Sequence, residues 1–282
     1  VNAEAPLENN TSSSGQNAVM TPLLMASASG HEEIALCLLK KGADPNAWDG
    51  GAAPLHYALM EGISYFQFRD SMDQLVKELL AHGADPNTRF EKTIVKTRGY
   101  DTINMPGPGG TALLLAAATP DPDLMRLLLS HGADPNLKTH DNVTALMGVA
   151  GVIREQAYTE TQIENGLEAA KILVDLGADV NASSDIGRTA LHGATQVLAN
   201  PLIQYLAEQG ADVDARDIYQ QTPLSAAMGV RLPWVRVNPL GEEGFVRQST
   251  VDLLLSLGAT PLETPGYFKP VEGAEEYRYV PR

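Results

Sequence analysis

The chain has 282 residues, 44% hydrophobic but only 6% aromatic, and its 35 acidic against 20 basic residues give a formal net charge of −15. Such a composition, rich in Ala and Leu, suits stacked short helices better than sheets. The acidic excess argues against DNA or RNA as the main partner, because phosphate neutralisation drives that binding, and it favours encounter with a basic partner. No run of eighteen apolar residues exists to span a membrane, and Cys37, the single cysteine, excludes an internal disulfide and is expected as a small buried hydrophobe on a helix face.

In chain order, Val1-Asn2-Ala3 matches Val180-Asn181-Ala182 and is expected to be the end of a repeated turn whose own helices are absent. Residues 4–19, with Asn9-Asn10-Thr11-Ser12-Ser13-Ser14-Gly15, have linker composition and predict an irregular excursion. From residue 20 two signatures alternate. The first is Thr21-Pro22-Leu23, with variants at Ala53-Pro54-Leu55-His56, Thr111-Ala112-Leu113, Thr144-Ala145-Leu146, Thr189-Ala190-Leu191-His192 and Thr222-Pro223-Leu224. It reads as a helix start: the Thr hydroxyl caps free backbone N–H groups, and Pro fits the first helical position, where no N–H is needed. The second is Gly42-Ala43-Asp44-Pro45-Asn46, repeated from Gly83, Gly132, Gly177 and Gly210 and weakly at Gly258-Ala259-Thr260. It reads as a helix stop, with Gly in the left-handed conformation and Asp bonding the turn that follows.

Successive turn glycines are 41, 49, 45, 33 and 48 residues apart, so only one interval matches an uninterrupted 33-residue unit. Anchoring on both signatures places insertions near 62–72, 151–165 and 230–248, each between the two helices of a unit. A fourth, 88–109, interrupts a hairpin. That last segment is basic and carries aromatics, with Arg89, Phe90, Lys92, Lys96, Arg98 and Tyr100, and reads as a partner-contacting finger or as a flap folded on its neighbours. The organisation expected is therefore a turn remnant and linker over 1–19, six repeats over 20–261, and a capping tail over 262–282.

Together the two signatures resemble the ankyrin repeat over nearly all of residues 20–261. The resemblance implies an all-α solenoid of helix pairs joined by β-hairpin-like turns. Long insertions and the Leu-His-Gly-Ala wording look more like bacterial ankyrin proteins, many of them exported, which implies a soluble, exported or periplasmic chain. The family implies binding of another protein or peptide through hairpin tips and the ends of first helices. Carried over position by position, that surface is Trp48, Asp49, Met60, Glu61, Lys138, His140, Asp141, Asp185, Ile186, Arg188, Gln196, Arg216, Ile218, Tyr219 and Gln221, with Val197 beside Gln196 and with Arg89, Phe90, Lys96, Arg98 and Tyr100 from the inserted loop. A second class of function is a fixed accessory subunit of a larger assembly. It would dock through the inserted edge, where Leu232, Trp234, Val235 and Val237 are apolar.

No catalytic, cofactor or metal site is expected. His56 and His192 stand at the family's Thr-Pro-Leu-His position, where they bond within the hairpin, His31 follows a turn Gly, and His82 and His131 precede terminating glycines, which leaves only His140 without a structural duty. Neither His-Glu-x-x-His, paired Cys ligands, Gly-x-Ser-x-Gly nor a phosphate cradle occurs. Glu155, Glu160 and Glu164, in the insertion near 151–165, are an example of carboxylates brought together by chance and are not read as catalytic.

Overall fold

The computed structural model describes residues 2, 5–11, 17–60, 72–91, 107–153, 157–228 and 248–261. Twelve helices are present among them: α1 Pro22–Ala28, α2 Glu32–Lys40, α3 Pro54–Leu59, α4 Asp73–Ala81, α5 Ala112–Ala118, α6 Pro122–Ser130, α7 Ala145–Val149, α8 Glu160–Asp175, α9 Ala190–Gln196, α10 Asn200–Glu208, α11 Pro223–Ala227 and α12 Gln248–Ser256. The helices start and stop where the two signatures predict. Thr21, Thr144 and Thr222 each accept the backbone N–H three residues on, at 3.3, 3.2 and 3.2 Å. The turn glycines take φ between 82° and 94° at Gly42, Gly83, Gly132, Gly177, Gly210 and Gly258, a region costly for any side chain.

Two compact units divide the chain. One comprises 1–101, 106–116 and 123–140, the other 102–105, 117–122 and 141–282. In the first, α1 packs on α2 and α3, α3 on α4, and α2 on α4. Leu23, Leu24, Leu39, Leu55, Leu75 and Leu79 are at most 1% exposed there, and burial of each contributes about 1.5–3 kcal/mol. In the second, α7 packs on α8 and α9, α8 on α10, α9 on α10 and α11, and α12 on α10 and α11. Leu146, Leu173, Leu191, Leu202, Leu206 and Leu254 fill its core.

Three expectations are corrected. Residues 4–19 are not simply irregular: β1 Ala5–Thr11 and β2 Asn17–Met20 pair antiparallel, with Ala5 opposite Met20 and Thr11 opposite Asn17. Their backbone N–H and C=O groups satisfy one another, which linker composition alone does not reveal. Cys37 is exposed rather than buried, because α2 turns Ala35 and Leu39 inward instead. The surplus near 151–165 is partly helix. Thr159 accepts the Gln162 N–H at 3.3 Å while Gln162 accepts the Thr159 N–H at 3.0 Å, and this capping box starts the 16-residue α8 at Glu160. Glu160 and Glu164 are exposed on α8, whereas Glu155 lies outside the described residues. So do most of 62–72 and 230–248, including Leu232, Trp234, Val235 and Val237, and all of the expected capping tail over 262–282. No described helix is long and apolar enough to cross a membrane.

The Asp and Asn of the turn phrase build a hydrogen-bonded ladder. Asp44, Asp85, Asp134, Asp179 and Asp212 each accept the N–H two residues on, at 2.9 Å. The last letter of the phrase then joins one turn to the next. Asn46 donates to Gly83 O and accepts from Asp85 N, Asn87 does the same with Gly132 and Asp134, and Asn181 with Gly210 and Asp212, all at 2.8–2.9 Å.

Candidate contact surface

Each hairpin rests on the seventh residue after its turn glycine. Asp49, Thr139, Ser184 and Asp217 hold this place and are 2, 4, 7 and 2% exposed. Asp49 accepts the N–H groups of Gly51 and Ala52 at 3.1 and 2.9 Å and the Tyr57 hydroxyl at 2.6 Å. Asp217 accepts those of Tyr219 and Gln221 at 2.8 and 2.9 Å, and Ser184 that of Arg188 at 3.3 Å. Asp49, expected at an exposed tip, therefore closes the hairpin from inside. Desolvation, then the Asp49 hydrogen bond, push the Tyr57 hydroxyl well above its ordinary range.

Histidine locks the same hairpins. His56 Nδ1 accepts the Ala53 N–H at 2.9 Å, so the proton sits on Nε2, which donates to the Thr88 carbonyl of the next repeat at 3.0 Å. His192 Nδ1 accepts from the Thr189 N–H at 3.2 Å and faces its hydroxyl at 3.0 Å, and Nε2 donates to the Gln221 carbonyl at 3.0 Å. Burial pushes His56 down to about 4 and lowers His192, in both cases against the opposing pull of the carbonyl and a nearby Asp.

In the first unit the inserted loop leaves and returns through a closed neck. Phe90 N donates to Gly110 O and Gly109 N to Phe90 O, both at 2.6 Å. Phe90 is 1% exposed, with its ring edge-on to His56 at 5.8 Å, so it belongs to the core and not to a contact surface. Arg89 is half-buried and donates through Nη1 to the carbonyls of Gly109 and Lys138, at 2.9 and 2.7 Å. His140 stacks against Gly109 so closely that a Cβ there would fall 2.4 Å from its Cδ2. Its Nε2 lies 3.4 Å from Glu91 Oε1. Lys138 and His140 are exposed and Trp48 is half-buried. Met60 is 4% exposed, another correction, because it closes α3 over the core. Glu61, Lys96, Arg98 and Tyr100 lie outside the described residues.

In the second unit main-chain bonds tie tip to tip: Asp185 N donates to Asp141 O, and Ile218 N to Ile186 O, both at 3.0 Å. Asn142 adds a 2.7 Å bond to the Asp185 carboxylate. Asp141, Asp185 and Arg216 are exposed, and Ile186 and Ile218 half-exposed beside them. The remaining expected residues are buried or bonded within the unit. Arg188 donates to Gln196 at 3.2 Å and stands 3.7 Å from the Asp217 carboxylate. Tyr219 and Gln221 are each 6% exposed, and Val197 is fully buried. Part of the distinction is present in the sequence: aligned on the turn glycine, the seventh residue is small and polar or Asp at Asp49, Thr139, Ser184 and Asp217, and it is buried each time.

Comparison with known proteins agrees with this geometry. The family model for ankyrin repeats (3 copies) matches residues 5–90, and that for a single ankyrin repeat matches 109–140. The chain is 25% identical over 228 residues, 73% of its length, to the E3 ubiquitin-protein ligase KEG of Arabidopsis thaliana, and it spans 14% of that protein. It is 26% identical over 208 residues to an ankyrin repeat protein of fowlpox virus, covering 73% of this chain and 91% of the viral one. A 64-residue stretch, 23% of this chain, is 38% identical to 9% of an ankyrin repeat protein of Acanthamoeba polyphaga mimivirus.

Proposed function

Because the chain is an ankyrin-repeat protein, an all-α repeat solenoid of a family whose members are in general non-catalytic protein-interaction modules, we propose that it recognises a protein partner through its hairpin tips. One observation carries this reading. The letters that build the stack are buried or bonded within it, whereas Asp141, Asp185, Ile186, Arg216 and Ile218 of the second unit are held outward on tips fixed by main-chain bonds. A rigid row of charged and aliphatic side chains costs little conformational entropy to bind, which is how preorganised surfaces gain affinity. The acidic pair Asp141 and Asp185 beside Ile186 and Ile218 suits a partner segment mixing Lys or Arg with aliphatic residues, in keeping with the overall charge of −15.

The test uses the whole chain and an Ile186→Asp, Ile218→Asp variant as paired baits, followed by titration of the purified proteins that distinguish them. The variant is expected to keep the helical circular dichroism of the parent and to lose at least about tenfold in affinity for its partner. Equal affinity of both forms for every captured protein would refute tip-mediated recognition.

A further inference from the structure

The second unit carries an apolar ribbon on the outward face of its second helices. Counted back from the turn glycine, the fifth residue is Ile172 on α8, Tyr205 on α10 and Leu253 on α12, each partly exposed. The residue just before the glycine adds Leu176, which is 50% exposed, and Leu257, partly exposed. Because α8 packs on α10 and α10 on α12, these side chains are neighbours across three helices. In the first unit the same two places hold Cys37 and Lys41, Glu78 and His82, and Leu127 and His131, so a charged or polar side chain interrupts the row each time. Single exposed apolar residues are ordinary, whereas a contiguous row marks an interaction surface.

Acid flanks the ribbon. Asp175, Glu208 and Asp252 are exposed on the same three helices. Glu208 accepts the Gln204 amide at 2.7 Å and Asp252 that of Gln248 at 2.6 Å, so neutral donors hold both carboxylates and leave their charge in place. Among the described residues of these helices the one Lys or Arg is Lys171. Its Nζ lies 5.9 Å from the centre of the Tyr205 ring and ties α8 to α10. Desolvation, then Asp175, raise the Tyr205 hydroxyl above its ordinary range, which sets that carboxylate near the ring.

Spacing selects the occupant. Packed helices lie about 8–10 Å apart, and side chains seven residues apart on a partner helix lie about 10.5 Å apart, so one such helix can address all three in turn. An extended strand repeats its face about every 6.6 Å and falls out of step. We propose that the ribbon docks an amphipathic helix of a partner protein, lying across α8, α10 and α12. Aliphatic side chains at every seventh position rest on Ile172, Tyr205 and Leu253, and flanking Lys or Arg residues meet Asp175, Glu208 and Asp252. The surface shares no residue with the hairpin tips and stands independently of recognition there.

The probe is a fluorescein-labelled synthetic peptide of about 18 residues, with Leu at every seventh position and Lys on both flanks, titrated with the whole chain by fluorescence anisotropy. It is expected to bind in the micromolar range, and a scrambled peptide of the same composition at least about tenfold more weakly. Leu176→Gln with Tyr205→Gln should weaken binding at least about tenfold with the helical circular dichroism unchanged. Should that variant fail to fold, Asp175→Lys with Glu208→Lys carries the test: it should weaken binding of the Lys peptide and strengthen that of a peptide with Glu in place of Lys. Ile186→Asp with Ile218→Asp, on the tips, should bind the probe as the parent does. No binding below about 1 mM, equal binding of the scrambled peptide, indifference to the ribbon variants, or loss of binding in the tip variant would overturn the assignment.

Discussion

Acidification should weaken the first unit through one side chain. His56 is 1% exposed, accepts an amide N–H at Nδ1 and donates from Nε2, so the fold holds it neutral and pushes its pKa down to about 4. In the unfolded chain it titrates at about 6.5, so between the two values the unfolded state binds the extra proton and stability falls with pH. The contribution is complete above about pH 6.5 and is lost as pH drops toward 4. From pH 7 to pH 5 the linkage relation gives a loss of about 2 kcal/mol from this residue alone. Carboxylates begin to titrate below that range, so the informative quantity is the gap between the parent and His56→Asn, which cannot titrate. Urea unfolding at several pH values, followed by circular dichroism, gives that gap. It should be largest near neutrality, where the variant forfeits two buried hydrogen bonds, and should narrow by about 2 kcal/mol at pH 5. A gap constant with pH would show that His56 titrates alike in folded and unfolded chains, and would refute the assigned tautomer and its bond to Thr88.

Asn181→Ala removes both ladder bonds to Gly210 and Asp212 and should cost about 1–2 kcal/mol in thermal or urea unfolding; an unchanged midpoint would mean that solvent replaces the ladder at no cost. Gln220 sits at φ 61°, in the place of Gly187 and Asn142, and Gln220→Gly should stabilise by about 0.5 kcal/mol, the left-handed penalty less the added freedom of the unfolded chain. A lower melting temperature would count against strain at that turn. Replacing residues 92–106 by a short turn should leave the unfolding midpoint within about 0.5 kcal/mol, because the bonds of Phe90 to Gly109 and Gly110 close the neck without them. A loss like that of a core mutant would place the loop within the packed unit.

Much of the framework could be read from spelling because its letters act locally. Thr21-Pro22 caps and opens a helix within four residues, and Gly42-Ala43-Asp44 stops one, so neither needs tertiary context. Thr159 and Gln162 were equally legible as a capping box and would have started α8 at Glu160 in place of an insertion running to 165. Cys37 could not be placed in the same way. Leu36-Cys37-Leu38-Leu39 is apolar throughout, so periodicity cannot choose which residue faces out, and only comparison with Glu78 and Tyr205 at the same place shows that this position faces outward.

The contact surface was legible in part, for a related reason. A hairpin tip and the residue that closes it from below are neighbours in sequence, and polarity does not tell them apart. Asp185 is exposed, while Asp217 is buried and accepts two amide N–H groups. Buried carboxylates persist where they satisfy amides that no helix or sheet can reach. Counting from the turn glycine resolves part of the ambiguity, since the seventh residue is buried at Asp49, Thr139, Ser184 and Asp217 while its neighbours Lys138, Arg216 and Asp185 are exposed. By that count Asp49 and Asp217 pass from recognition to framework, and burial adds Tyr219 and Gln221, together with the Arg188 side chain that Gln196 and Asp217 hold. Of the residues that remain outward, Asp185 holds Asn142 through its carboxylate, whereas the tip bonds of Ile186 and Ile218 are main-chain and survive a change of side chain, which is the freedom a recognition surface requires.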